Sequence, residues 1–67
     1  MKSKDSVKLG SKLREAREKA GLSQAELASR AGINPNYYAV VERGEKKVSY
    51  EKLRPILKVL NIKSLDF

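Results

Sequence analysis

Asn36, Ala39, Val40 and Arg43 recur at i, i+3, i+4 and i+7, the spacing that gathers four side chains on one face of a helix. A carboxamide such as Asn36 matches the donor and acceptor on the major-groove edge of adenine, and Val40 offers an apolar surface to a thymine methyl. Arg43, Lys46 and Lys47 surround Gly44 just beyond, so the face ends in three cations. Upstream, Ser23 and Gln24 open another apolar-periodic run, where free backbone N–H groups and the positive end of a helix dipole suit an anion. The chemistry on offer is therefore contact with base edges and phosphates. The competing use of Ala39 and Val40 is an apolar patch for a protein partner, and that of Ser23 is simply to cap its helix.

Catalysis has few means here. The 67 residues contain no histidine and no cysteine, which removes the usual nucleophile–base pairs and imidazole or thiolate metal sites. The carboxylates Glu15, Glu18, Glu45 and Glu51 lie on polar faces beside lysines, and so short a chain can hardly wall off a pocket. No enzyme, cofactor or metal is expected. Fifteen Lys and Arg against eight Asp and Glu give a net charge of +7, which suits a polyanion. An acidic membrane surface would need a helix joining a wide apolar face to a basic one, and the first helix has only Leu and Ala there, which the core requires. No run is long enough to cross a bilayer, and Met1–Ser6 is not followed by the apolar stretch of a secretion signal. A cytoplasmic protein without membrane partners is the expectation.

Four apolar-periodic segments must position the candidate residues. Residues 1–6 are expected as a flexible tail, with Lys2 and Lys4 able to act as an arm, and 7–67 as one domain. The first helix spans about Val7 to Ala20 on the stripe Leu9, Leu13, Ala16 and Ala20, and Gly21 ends it. The second opens at Ser23 with a capping box, Ser23-Gln24-Ala25-Glu26, stapled by Leu22 and Leu27, and closes at Gly32. The third begins at Asn34 as N-cap with Pro35 at its first position, and stops at Gly44. The fourth opens at Ser49 and carries Leu53, Ile56, Leu57 and Leu60 on one stripe. Pro55 falls six positions after that cap, so a kink or an irregular first turn is expected. Ile62 and Leu65 are expected to fold back onto the core. Four helices with short connections make an all-α bundle. The second and third are joined by about three residues around Gly32, too few for antiparallel packing, and so form a helix-turn-helix.

The run Gly21-Leu22-Ser23-Gln24-Ala25-Glu26-Leu27-Ala28, with Ala31-Gly32-Ile33, Tyr37-Tyr38 and Val41-Glu42-Arg43-Gly44 after it, resembles the phage repressor/Cro-like (Xre-type) helix-turn-helix family. The resemblance covers about Leu9 to Ile62. It implies a lambda-repressor-like domain of four to five helices that binds operator DNA, usually as a dimer, with the third helix reading bases in the major groove. It places phosphate contacts on Ser23 and Gln24 and base reading on Pro35, Asn36 and Val40, with Tyr37 nearby. Val40 stands where the family usually has a polar or basic residue, which shifts readout towards methyl contacts and DNA shape. Arg17 and Glu42 fall on the family's partly buried ion pair, and Arg17 can also reach a phosphate. Arg43, Lys46 and Lys47 lie where the family often touches the duplex backbone. Tyr37 and Tyr50 carry hydroxyls that suit a phosphate, although tyrosine more often packs half-buried with a wet tip.

The implied function is a transcriptional regulator acting on double-stranded DNA as a homodimer, weak or formed only on DNA, through Asn61–Phe67 with Leu65 and Phe67 as its apolar residues. The rival is a protein-interaction module, or the antitoxin of a toxin pair, on the same fold. A pure protein binder has no need of Gln24, Arg43, Lys46 and Lys47 around one face.

Overall fold

In the computed structural model, residues 3–62 are described, and they form four helices: α1 (Lys4–Lys19), α2 (Gln24–Ala31), α3 (Pro35–Glu42) and α4 (Tyr50–Val59). Each begins on a side-chain cap. Ser3, Ser23, Asn34 and Ser49 accept hydrogen bonds from N–H groups of the first turns that have no carbonyl four residues back. At Ser23 the capping box is complete, because the Glu26 carboxylate accepts from the Ser23 N–H while the Ser23 hydroxyl accepts from the Glu26 N–H. Each helix ends on a residue of positive φ: Gly21, Gly32, Gly44 and Asn61. The next N–H then reaches back to a carbonyl of the last turn, as Leu22 does to Arg17, Ile33 to Ala28, Glu45 to Val40 and Ile62 to Leu57.

Three expectations are corrected by the structure. Lys4, Asp5 and Ser6 belong to α1 rather than to a flexible tail, because Ser3 caps the helix and Asp5 complements its positive end. Ala20 is the exposed C-cap of α1 and not part of its buried stripe. Pro55 does not interrupt α4, which runs unbroken from Tyr50 to Val59. The proline removes one donor, leaving the Glu51 carbonyl without its helical partner, and Glu51 is exposed so that water can serve that group. Leu65 and Phe67 lie outside the described residues, as do Met1 and Lys2. Ile62 is half-buried.

The core is small and drawn from all four helices. Leu13, Leu27, Ala28, Tyr38 and Ile56 are wholly enclosed, with Val41 and Leu22 nearly so, and Leu9, Ile33, Leu53, Leu57 and Leu60 pack around them. Each fully buried aliphatic side chain contributes roughly 1.5–3 kcal/mol relative to exposure, so no single one is dispensable in a chain of this length. Helix α3 packs against both α1 and α2, and α2 against α4. The helix-turn-helix pair is thereby held from both sides.

Two glycines permit the closest approach, where α1 crosses the end of α3. A Cβ on Gly10 would lie 2.3 Å from the Glu42 carbonyl oxygen, and one on Gly44 would lie 2.7 Å from the Val7 Cα. Both obstructions are backbone, which cannot rotate away. Substituting Gly10→Ala is therefore expected to destabilise the fold by about 1–3 kcal/mol despite alanine's better helix propensity. Urea unfolding of the two proteins measures it, and an unchanged or raised midpoint would disprove the close approach.

Candidate nucleic-acid interface

The tight crossing at Gly10 delivers Glu42, the last residue of α3, into the interior beside α1. Its side chain is 4% exposed, and that of Arg17 is 12% exposed. The guanidinium grips the carboxylate in two places, Nε donating to Oε2 at 2.8 Å and Nη2 to Oε1 at 3.0 Å. A fork-on-fork arrangement of this kind is among the stronger charged contacts in proteins. Arg17 Nη1 also donates to the Leu22 carbonyl at 2.7 Å, just before the cap of α2. Glu42 Oε1 accepts a further bond, at 3.1 Å, from Gln24 Nε2 in the first turn of α2. One carboxylate thus joins α1, the start of α2 and the end of α3.

Tyr38 completes this cluster. Its ring is fully buried, and its hydroxyl has no hydrogen-bond partner of good geometry, although it lies close enough to the carboxylate to help hold the charge. Burial, reinforced by neighbouring Glu42, pushes the phenol far above its ordinary range, so it stays neutral. For Glu42, burial works to raise the pKa, but the hydrogen bonds from Arg17 and Gln24, with the Tyr38 hydroxyl nearby, outweigh it and hold the acid below its ordinary 4.5. The hydrogen bond to Glu42 in turn raises Arg17 above its ordinary value, so the guanidinium stays charged. Exposed Glu26 is also lowered, first by the Ser23 backbone N–H of the capping box.

The opposite side of α3 faces solvent. Pro35 and Asn36 are exposed at its start, Tyr37, Ala39 and Val40 are half-buried, and Arg43 is exposed at its end, while Tyr38, Val41 and Glu42 point inward. The four-residue face expected from spacing therefore exists. Asn34 spends its side-chain oxygen on the N–H groups of Asn36 and Tyr37, which leaves the Asn36 carboxamide outside the cap. Lys46 lies over the Tyr37 ring, 5.2 Å from its centroid, and so the loop folds back on the start of α3. Arg43 donates to Glu45 at 3.1 Å on the surface, an exchangeable contact of little strength. Ser23 is exposed as the cap of α2, and Lys47 is exposed in the loop.

Other candidates are placed differently from what their residue types suggest. Three of Arg17's donors are committed inside the protein, so its main contact is structural. Gln24 is half-buried and tied to Glu42. Nothing in the spacing of Gln24 and Glu42 announces that bond, nor the one from Arg17 to the Leu22 carbonyl. Tyr50 is 72% exposed, not half-buried packing. Of the carboxylates, Glu15 and Glu18 pair with Lys19 and Arg14 on the surface of α1, and no cluster of three metal-ligating side chains occurs among the described residues.

Fold and surface together define a helix-turn-helix domain whose third helix projects a mixed polar and apolar face that ends in a cation. The chain belongs to the helix-turn-helix family of the phage repressor/Cro (Xre) type: the family model described as helix-turn-helix matches residues 13–67. It is 42% identical over 53 residues to a helix-turn-helix-type transcriptional regulator of Mycobacterium tuberculosis, a match covering 79% of this chain and 38% of that protein. This chain thus spans well under half the length of that relative. The restriction-modification controller protein C.AhdI from Aeromonas hydrophila is 39% identical and superposes with a TM-score of 0.88 over 91% of this chain and 92% of its own. The master regulator for biofilm formation SinR, solved in complex with DNA, is 28% identical with a TM-score of 0.79, covering 82% and 89% respectively.

A carboxyl whose folded pKa is below its unfolded value stabilises fully above the unfolded value, and that stability is lost as pH falls through the folded pKa. The ion pair's contribution is therefore expected to be intact at neutral pH and to fade below about pH 4.5. Titration of the Glu42 carboxyl carbon by NMR should give a midpoint below 4.5, and a midpoint above it would mean that burial outweighs the hydrogen bonds.

Proposed function

We propose that the chain is a transcriptional regulator that binds double-stranded operator DNA sequence-specifically, with α3 in the major groove. The observation that carries this reading is the division of α3: Tyr38, Val41 and Glu42 anchor it, and Asn36, Val40 and Arg43 are left facing outward. In this pose Asn36 reads a base edge, Pro35, Tyr37 and Val40 shape the apolar contact, and the start of α2 at Ser23 and Gln24 meets a phosphate. Arg43, Lys46 and Lys47 supply charge to the backbone on the far side. Arg17 contributes mainly by holding α2 and α3 together, with its remaining donors for a phosphate. The resemblance to a regulator solved on DNA supports the same placement.

The mechanism is occupancy of a site at equilibrium, with no chemical step and no cofactor. A homodimer, weak or assembled on DNA, would set its two α3 helices about 34 Å apart, one turn of the duplex. Its expected contact segment, with Leu65 and Phe67, lies outside the described residues. No helix among the described residues is long and apolar enough to cross a membrane, and the proposed site of action is the cytoplasm.

Selection of bound duplexes from a random-sequence pool tests the reading. A two-fold-related consensus is expected, whereas no enrichment would favour a protein partner for the same surface. On the selected duplex, Asn36→Ala should relax base preference at one position while leaving most non-specific affinity. Retained preference would remove Asn36 from base reading. Arg43→Ala should weaken binding to all sequences alike and reduce the salt slope by about one. An unaltered slope would remove Arg43 from the phosphate contacts.

A further inference from the structure

We infer that Glu42 is a positioning residue for DNA binding: by accepting from one N–H of the Gln24 carboxamide, it turns the other N–H towards the phosphate that the start of α2 meets. The inference rests on the proposed DNA-binding pose and adds a role that Glu42 plays besides pairing with Arg17. A primary amide nitrogen carries two hydrogens about 120° apart in one plane. Gln24 Nε2 donates one of them to Glu42 Oε1 at 3.1 Å, and Glu42 is buried, so that hydrogen points inward. The second must then point away from the interior, from a residue that remains half exposed in the first turn of α2. A free glutamine would have to freeze its rotamers on meeting an anion, an entropic cost that is large for so flexible a side chain. Here much of that ordering is already present in the free protein.

The placement of Glu42 is itself fixed by neighbours that do not touch Gln24. Arg17 holds both carboxylate oxygens, so the acceptor cannot swing away. The same guanidinium holds the Leu22 carbonyl, which keeps the backbone before the Ser23 cap in register with the carboxylate. Thus the helix end that offers backbone N–H groups and the side chain that adds one more donor are set by one buried group on α3. A phosphate contact on α2 is coupled to the helix that reads bases. Misplacement of α3 would then weaken the backbone contact as well.

The test replaces single phosphates of the selected duplex by neutral methylphosphonate and compares affinities of the native chain, Gln24→Ala and Glu42→Leu. At the phosphate facing α2 the native chain is expected to lose about tenfold, the size of one charge-assisted hydrogen bond. Both variants should lose the same part of that penalty, falling to about threefold, because backbone N–H groups still contact the position. Because Glu42→Leu leaves Arg17 unpaired and can impair folding, the native chain is also examined directly. In its NMR spectrum one of the two Gln24 side-chain amide protons should be protected from exchange, before DNA is added and after, while the other exchanges freely until DNA binds. A Glu42→Leu protein that keeps the full native penalty would overturn the role, as would Gln24 amide protons that both exchange as fast as those of a free glutamine in the native chain without DNA. If the native chain binds no selected duplex at all, the DNA-binding reading itself fails and takes this role with it.

Discussion

The pair Arg17–Glu42 is the constraint around which this small domain is arranged. Two charges sit in the interior of a 67-residue chain whose core has only seven buried apolar residues among those described. Charges removed from water are tolerable only when their hydrogen-bonding capacity is met. It is met here by the fork between the pair, the Leu22 carbonyl and the Gln24 carboxamide. Every one of these partners belongs to a different part of the helix-turn-helix or to the helix that braces it. The pair can be satisfied in one relative placement of α1, α2 and α3, and that placement turns the outer face of α3 to solvent.

Packing makes the same demand from another direction. Gly10 and Gly44 bring α1 and the end of α3 into backbone contact, and this is what carries Glu42 to within reach of Arg17. Side-chain caps and left-handed stops fix the length of each helix, so α3 is just long enough to put Asn36 at one end and Glu42 at the other. Stability and the proposed recognition are thus distributed along one short helix. Its inward residues hold the domain together, and its outward ones, Asn36, Val40 and Arg43, carry no part of the core.

Much of this was legible in the residues. Ser23-Gln24-Ala25-Glu26, Asn34-Pro35 and Ser49 state where helices begin by chemistry that is local to a few positions. Because that chemistry is local, the starts of α2, α3 and α4 agree with the structure. The start of α1 was less legible, since Ser3 lies in a run of charged and small residues without an apolar stripe. Its cap and the acidic Asp5 were nevertheless there to be read. Pro55 misleads because the cost of a lost donor depends on whether water can reach the orphaned carbonyl, which spacing does not reveal. The outer face of α3 follows from periodicity alone, but the inner connections of Gln24 do not. They join residues far apart in the chain, and only the crossing of α1 with α3 at Gly10 brings them into range. The ion pair is implied by the family resemblance, whereas its bonds to Gln24 and the Leu22 carbonyl appear only in the folded structure.

The direct test of the central claim, that this buried pair serves chiefly to fix geometry for DNA binding, is a double-mutant cycle with Arg17→Met, Glu42→Leu and both together. Folding stability and affinity for the selected duplex are measured on each protein. One-sided changes should cost about 3–5 kcal/mol of stability, because each leaves a charge buried alone, while the apolar double replacement should recover most of it. The predicted result is a double variant that folds nearly as stably as the native chain yet binds the duplex at least tenfold more weakly. A double variant that folds and binds as tightly as the native chain would contradict it.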